Sequence, residues 1–411
     1  MSSQNKKKKK LTIIEAFSGI GSQHQALKNI GIDYDIVATI EWDMNAVFAY
    51  DIIHHGKQDV SELMSLTKDE IIDELIKLCI SVNGKNPASR LSLNYYSLEA
   101  LRSILSAFKR TNNLGSITQV KADYFPNDID VLTYSFPCQN LSACGAWHGY
   151  MTGIDKIQKN QSNMIWEIGR ILGEQKFLKK NLPKYLLMEN VKNITYKVNL
   201  DNFEEWKKFL LNLGYINKTF ELDALNFGVP QHRKRAFMIS TLNDENEHSE
   251  KISSYLTSKK IKTIDDKLLL NYLKLDYTNA VYSKEAQTSN PNNTKSREKI
   301  FNENDLIYDG NKIKQPYIKT ITTKQDRHPN SGVIVYDSLR KDKAQFRYLT
   351  PRECFLLMGF PESAFNALLD NNVKVKNDNN LLTIEKLYRL AGNSIVVNIL
   401  EDIFNQIYQY I

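Results

Sequence analysis

Leu11-Thr-Ile-Ile-Glu-Ala-Phe-Ser-Gly-Ile-Gly-Ser22 is the stretch whose reading decides the fold. Leu11 to Phe17 is a short apolar run that predicts a strand, and Ser18-Gly-Ile-Gly-Ser22 is a glycine turn. A helical pattern follows through Ala26, Leu27 and Ile30 and stops at Gly31, a residue type that ends helices. Ile36 to Ile40 is a second strand closed by Glu41 and Trp42, and a helix is expected from about Asn45 to His54. Strand, glycine turn, helix and strand make the opening unit of a doubly wound α/β sheet. Gly19-Ile-Gly21 is less than a full GxGxxG, so its weight comes from context. A carboxylate at the end of the next strand accepts from ribose hydroxyls, and Trp42 beside Glu41 offers a flat face for an adenine ring. No second phosphate-binding glycine loop is present, so the implied nucleoside cofactor need not carry a diphosphate.

Working outward, strands are expected at Val131–Ser135, Tyr185–Met188, Ile216–Leu222 and Arg235–Ser240, with helical stretches such as Met164–Leu172 and Phe203–Leu213 between them. In Asp130-Val-Leu-Thr-Tyr-Ser-Phe-Pro-Cys-Gln139 the strand is stopped by Pro137 and followed by the thiol of Cys138. Free cysteine is among the most buried residue types, but one just past the carboxyl end of a strand stands where α/β folds keep their chemistry. Tyr185-Leu-Leu-Met-Glu-Asn-Val191 ends in Glu189, which can act as an acid, bind a substrate or cap a helix. Gln231-His-Arg-Lys-Arg235 puts Gln231, Arg233 and Arg235 on alternate positions, hence on one face. Such a face can clamp a carboxylate, a phosphate or a base carbonyl, or form a basic edge.

The 411 residues allow a full core with two domains or a large insertion, and 42% hydrophobic with 25% charged residues is ordinary for a globular chain. No apolar run approaches the roughly 18 residues of a membrane span, and no signal peptide is read at the N-terminus. Four cysteines, without a CxxC pair, point to a reducing cytoplasm and away from a zinc site. The net charge of +7 and pI of about 8.9 suit a polyanionic partner, and Lys6 to Lys10 form a basic tail. Residues 56–113 read as a helical insertion without chemistry, and 242–343 as a loop-rich, Asn- and Tyr-rich small domain. Thr350, Pro351 and Glu353 mark a capped helix start, and an amphipathic helix is expected from about Ser394 to Tyr410.

In chain order, Phe17-Ser-Gly-Ile-Gly21, Glu41-Trp42, Phe136-Pro-Cys-Gln139, Glu189-Asn-Val191 and Gln231-x-Arg-x-Arg235 form a set. Arg347-x-Leu-Thr-Pro-Arg-Glu-Cys354 with Met358-Gly-Phe-Pro361, and Ala391-Gly-Asn-Ser394, complete it. This set resembles the bacterial DNA (cytosine-5)-methyltransferase family of restriction-modification type, over essentially the whole chain. The resemblance implies an S-adenosylmethionine-dependent methyltransferase sheet with a smaller target-recognition domain. It places the catalytic part in 1–240 plus 383–411, and the target-recognition domain and hinge in 241–382. Cys138 would add to carbon 6 of a cytosine flipped out of duplex DNA. Glu189 would bind the ring nitrogen and amino group, Arg235 the ring carbonyl, and Arg233 would support the site. Phe17, Gly19, Gly21, Glu41, Trp42, Pro137, Asn393 and Ser394 would surround S-adenosylmethionine, with no metal. Ser394 would open the last helix, and the segment from Gln139 to about Asn160 would close over DNA. Two positions depart from the family pattern: Ser116 stands where an acidic residue is usual, and Gln161 where arginine is. The implied enzyme is a monomer in the cytoplasm at the nucleoid, with a cognate restriction endonuclease as a possible companion. A transfer RNA cytosine-5 methyltransferase is the alternative, and the length of the variable region favours DNA.

Overall fold

The computed structural model describes residues 10–137, 164–260, 265–327, 330–337 and 340–411. It divides into two units. The first takes in the described residues up to Leu222, Arg235–Ser258 and Leu400–Ile411; the second is Asp223–Lys234 with the described residues of Lys259–Ile399.

The first unit is built on one sheet. Its strands are β1 (Leu11–Ala16), β2 (Tyr34–Ile40), β3 (Val131–Tyr134), β4 (Tyr185–Val191), β5 (Tyr215–Asp223) and, past the short β6 (Gln231–His232), β7 (Lys234–Leu242). The order is β2-β1-β3-β4-β7-β5. The pairs β1–β2, β1–β3 and β3–β4 are parallel, and β7 runs antiparallel to β4. Leu11, Ile13, Ile14 and Ala16 are all fully buried, so successive side chains on both faces of β1 are covered, as a parallel sheet between helical layers requires. The chain leaves β1 for β2 on one side and continues through β3 and β4 on the other. The carboxyl ends of β1 and β3 therefore flank the switch point where such sheets bind ligands. The expected doubly wound, mostly parallel sheet is present.

On one face Trp206 is wholly buried, stacks on Phe209 at 5.5 Å and meets Trp166 edge-on at 5.4 Å. Its indole N–H donates to the Tyr134 hydroxyl at 3.2 Å, so the largest core side chain also holds the end of β3. The 56–113 segment is helical as expected, with helices Lys68–Lys77 and Leu98–Arg110 burying Ile71, Ile72, Leu75, Leu101, Ile104 and Leu105. It returns to the sheet edge where Leu114 N donates to Thr39 O at 2.9 Å.

The structure departs from the sequence reading in several places, and 223–234 and 383–399, expected in the catalytic part, fall in the second unit. Residues 241–258 belong to the first unit, because the helix His248–Ser258 buries Ile252 and Leu256 and His248 stacks on Tyr410 at 4.5 Å. Ser394 does not open the last helix. It caps the end of an unforeseen helix, Ile384–Asn393, its hydroxyl donating to Leu390 O at 2.8 Å, and the last helix starts at Val397. Residues 242–343 also hold more helix than expected, since Asn279 and Thr294 cap Ala280–Thr288 and Lys295–Glu303. Residues that read as loop markers are helix starts here.

Within the second unit, Arg347 and Glu353 are completely buried and pair through two 2.8 Å bonds. Glu353 also accepts from Thr350 N at 2.7 Å, so the expected capping box doubles as an ion pair. Tyr277 accepts from Arg347 Nε at 2.9 Å.

Candidate active site

The turn after β1 adopts backbone that only some residues tolerate. Phe17, Gly19 and Gly21 have φ of 56°, 55° and 78°. A Cβ on Gly19 would meet nothing within 4 Å, so this glycine faces open space. A Cβ on Gly21 would fall 2.3 Å from His54 Nε2, so this one is required by close packing. Helix α1 (Ser22–Ile30) starts on Gly21, and among the described residues no side chain caps its first N–H groups.

Glu41 ends β2 beside this turn. Its Oε2 accepts from Gly19 N at 3.1 Å and its Oε1 from Asp43 N at 2.8 Å. Burial, and then the charge of Asp43, push its carboxyl up to about 7. Trp42 is half-buried, and its carbonyl accepts from Ser81 N at 2.6 Å, which ties it to the helical insertion. Asp43 then caps helix α2 (Met44–His55), accepting from Asn45 N at 3.0 Å. A glycine facing open space, an uncapped helix start and a carboxylate within one turn suit a nucleoside-bearing cofactor.

The neighbouring strand ends carry the second group. Ser135 Oγ donates to Phe17 O at 3.4 Å, and buried Asn190 donates through Nδ2 to Phe136 O at 3.1 Å. The stem Phe136–Pro137 is thus held from both β1 and β4. Glu189, beside Asn190, lies against Arg235, Oε1 to Nε 3.3 Å, with side chains only 11% and 15% exposed. The antiparallel register places Arg235 opposite Val191, so the first residues of β7 meet the last residues of β4. Cys138, the segment Gln139–Asn160 and Gln161 lie outside the described residues.

Arg233 has a different setting. It belongs to the second unit and is 3% exposed, and its guanidinium donates to Ile321 O at 2.8 Å, Gly392 O at 3.0 Å and Ser394 O at 2.8 Å. These bonds staple the end of the helix Ile384–Asn393 and its cap Ser394 to Ile321. Gln231 works beside it, its Oε1 accepting from Ile321 N at 3.0 Å and its Nε2 donating to Leu357 O at 2.9 Å. Asn393 and Ser394 lie in this second unit too. Ser116 is buried, with its hydroxyl 2.9 Å from that of Thr118. Asn190 and Ser135, which hold the Phe136 stem, were missed by sequence reasoning. Their adjacency to Glu189 and Phe136 was the available signal, since residues flanking a strand-end carboxylate face the next strand's exit.

The sheet, with its glycine turn and its carboxylates at the strand ends, defines an α/β fold with a site at the switch point. Residues 94–409 match the family described as C-5 cytosine-specific DNA methylase. The orphan methyltransferase M.SssI of Spiroplasma monobiae is 34% identical over 99% of this chain and 100% of its own. The type II methyltransferase M2.ScrFI of Lactococcus lactis subsp. cremoris is 31% identical over 97% and 99%. The fold matches that of the S. pombe Dnmt2 methyltransferase at a TM-score of 0.60 and 19% identity, covering 98% of this chain and 99% of that one. The chain belongs to the C-5 cytosine-specific DNA methylase family and is a DNA (cytosine-5)-methyltransferase.

Proposed function

We propose that this enzyme methylates carbon 5 of a cytosine flipped out of a short duplex target, through an adduct on Cys138, with S-adenosylmethionine as co-substrate. The Glu189–Arg235 contact of 3.3 Å beside the Phe136–Pro137 stem carries the reading, because it puts a carboxylate and a guanidinium at the strand exit that leads to Cys138. S-adenosylmethionine, when bound, supplies the methyl group. Phe17, Gly19 and Gly21 would line its methionine and adenosine moieties, Glu41 would accept from its ribose and Trp42 would flank its adenine. Pro137 would border it, and the assignment of Asn393 and Ser394 rests on the resemblance.

The Cys138 thiolate adds to carbon 6, and the ring's electron pair moves to carbon 5. Glu189, in its acid form, donates to the ring nitrogen and accepts from the amino group, which stabilises that electron-rich ring, while Arg235 donates to the ring carbonyl. Carbon 5 takes the methyl group as its bond to the sulfonium sulfur breaks to leave a neutral thioether; the carbon 5 proton then passes to water as the carbon–sulfur bond to Cys138 breaks to return the thiolate. Arg233 supports this from the second unit by fixing backbone rather than by touching the base. The second unit, with its Asn- and Tyr-rich composition, is the proposed reader of the target. Relatives include both type II and orphan enzymes, and protection within a restriction-modification system, in the cytoplasm and by a monomer, is the proposed role. Labelled S-adenosylmethionine is expected to transfer methyl groups to duplex DNA, with the transfer abolished in Cys138→Ala. Labelling of RNA alone, or activity in that variant, would overturn the reading. Bisulfite sequencing of DNA from expressing cells would identify the target.

A further inference from the structure

Behind the glycine turn lies a packed cluster of ionisable side chains to which the proposed mechanism gives no work. His54, from α2, points Nε2 at the carbonyl of Ile20 at 3.0 Å. A carbonyl only accepts, so Nε2 carries the proton and donates. Nδ1 of His54 is buried with no hydrogen bond among the described residues, which a neutral ring tolerates because that nitrogen is then an unprotonated acceptor. The ring of His24, from α1, stacks on His54 at 4.1 Å and 9°, and His24 Nδ1 lies 2.9 Å from the Tyr50 hydroxyl. Tyr34 from β2 meets His24 edge-on at 5.6 Å, and His55 does so at 5.8 Å. Glu15, from β1, is fully buried on the same side. Burial, and the nearby charges of His55 and Lys28, hold both His24 and His54 well below the usual imidazole range, so both rings are neutral.

We propose that His54 is a positioning residue for the cofactor turn: by holding the Ile20 carbonyl while filling the space that a Cβ on Gly21 would need, it fixes the direction in which Gly19–Gly21 presents its backbone. The turn's other anchors include Phe17 N and Ser18 N on Ile40 O, Ser135 Oγ on Phe17 O, Gly19 N on Glu41, Gly21 N on Ser18 O and Gln25 N on Gly21 O. His54 is the anchor on the carbonyl at the centre of the turn, and it comes from α2. Without it the Ile20–Gly21 peptide plane is held by the bond from Gly21 N to Ser18 O within the turn, a looser restraint on the direction of the backbone on either side. The inference rests on the reading of this turn as the S-adenosylmethionine site.

The test uses the full-length enzyme and three substitutions. His54→Gln keeps an N–H near the position of Nε2. His54→Asn places its amide too short to reach Ile20, and His54→Phe keeps the ring and its stacking but has no donor. In methyl transfer to duplex DNA, His54→Asn and His54→Phe are expected to raise the KM for S-adenosylmethionine about tenfold, the loss of one hydrogen bond, with kcat and the KM for DNA within about twofold. His54→Gln is expected within about threefold of the wild type. Should His54→Phe fail to fold, the Gln–Asn comparison decides alone. Equal cofactor KM in Gln, Asn and wild type overturns the inference, as does a loss confined to kcat or to DNA. A wild-type enzyme that neither binds S-adenosylmethionine in calorimetry nor transfers its methyl group overturns the cofactor reading itself.

Discussion

At the scale of residues, buried carboxylates set the behaviour of this chain. Burial pushes the Glu15 carboxyl up to about 8, and the Tyr50 hydroxyl offsets only part of that. In the unfolded chain the same group ionises near 4.5. Between these values the unfolded state releases a proton that the folded state keeps, so stability falls as pH rises, by up to ~1.4 kcal/mol per pH unit. Stability is therefore full below the lower value and lost through the upper one. Glu15→Gln is expected to melt at higher temperature than the wild type at pH 8, with the difference shrinking towards pH 5 in thermal scans across that range. At the proposed catalytic pair, Glu189→Gln and Arg235→Lys are each expected to lower kcat about a hundredfold or more, since each removes a group aimed at developing charge. Calorimetric binding of S-adenosylmethionine should change little in both, and a parallel loss of cofactor affinity would move these residues out of their proposed roles.

At the scale of elements, Trp206 is the hinge pin of the core, fully buried between Trp166, Phe209 and Tyr134. Trp206→Ala is expected to destabilise the protein by ~3–5 kcal/mol in denaturant unfolding, by removing the ring and leaving a cavity. The strands and the glycine turn were legible in the sequence because their signals are local: apolar runs, a glycine pair and a carboxylate at a fixed distance. Less legible was whatever depends on a partner far along the chain. Arg233 shares a strand face pattern with Arg235, yet its donors go to Ile321, Gly392 and Ser394, which no spacing rule connects to it. Ser394 read as a helix start because an apolar amphipathic run follows it. The Ile395-Val396-Val397 run is β-branched, and the helix resumes only at Val397. His54 gave no sign of its contact with Ile20, because a histidine at a helix end is most simply read as a complement to the dipole.

At the scale of the whole molecule, the excess of 54 Lys and Arg over 47 Asp and Glu favours a polyanion without selecting a sequence. Replacing Lys6 to Lys10 by serine is expected to weaken binding to unrelated duplexes and to flatten the dependence of log K on log salt. Each phosphate that the tail no longer neutralises takes about 0.9 off the slope. Titrations of a fluorescent duplex at several salt concentrations would check it, and an unchanged slope would show that the tail touches no phosphate. The target preference should survive the replacement, because base contacts specify and phosphate contacts only position.

The reversed direction of β7 leaves a mark on how this enzyme can evolve. Arg235 reaches Glu189 only because β7 pairs with β4 in one register, with Arg235 opposite Val191 and Tyr185 opposite Thr241. Loss of one codon between Ala236 and Thr241 would turn Arg235 to the other side of the sheet and uncouple the pair, while every side chain concerned survived. A codon removed or added in the 243–247 segment, which follows the strand, leaves that register alone. Length variation among descendants of this chain is therefore expected to collect beyond Leu242 and to stop at the strand.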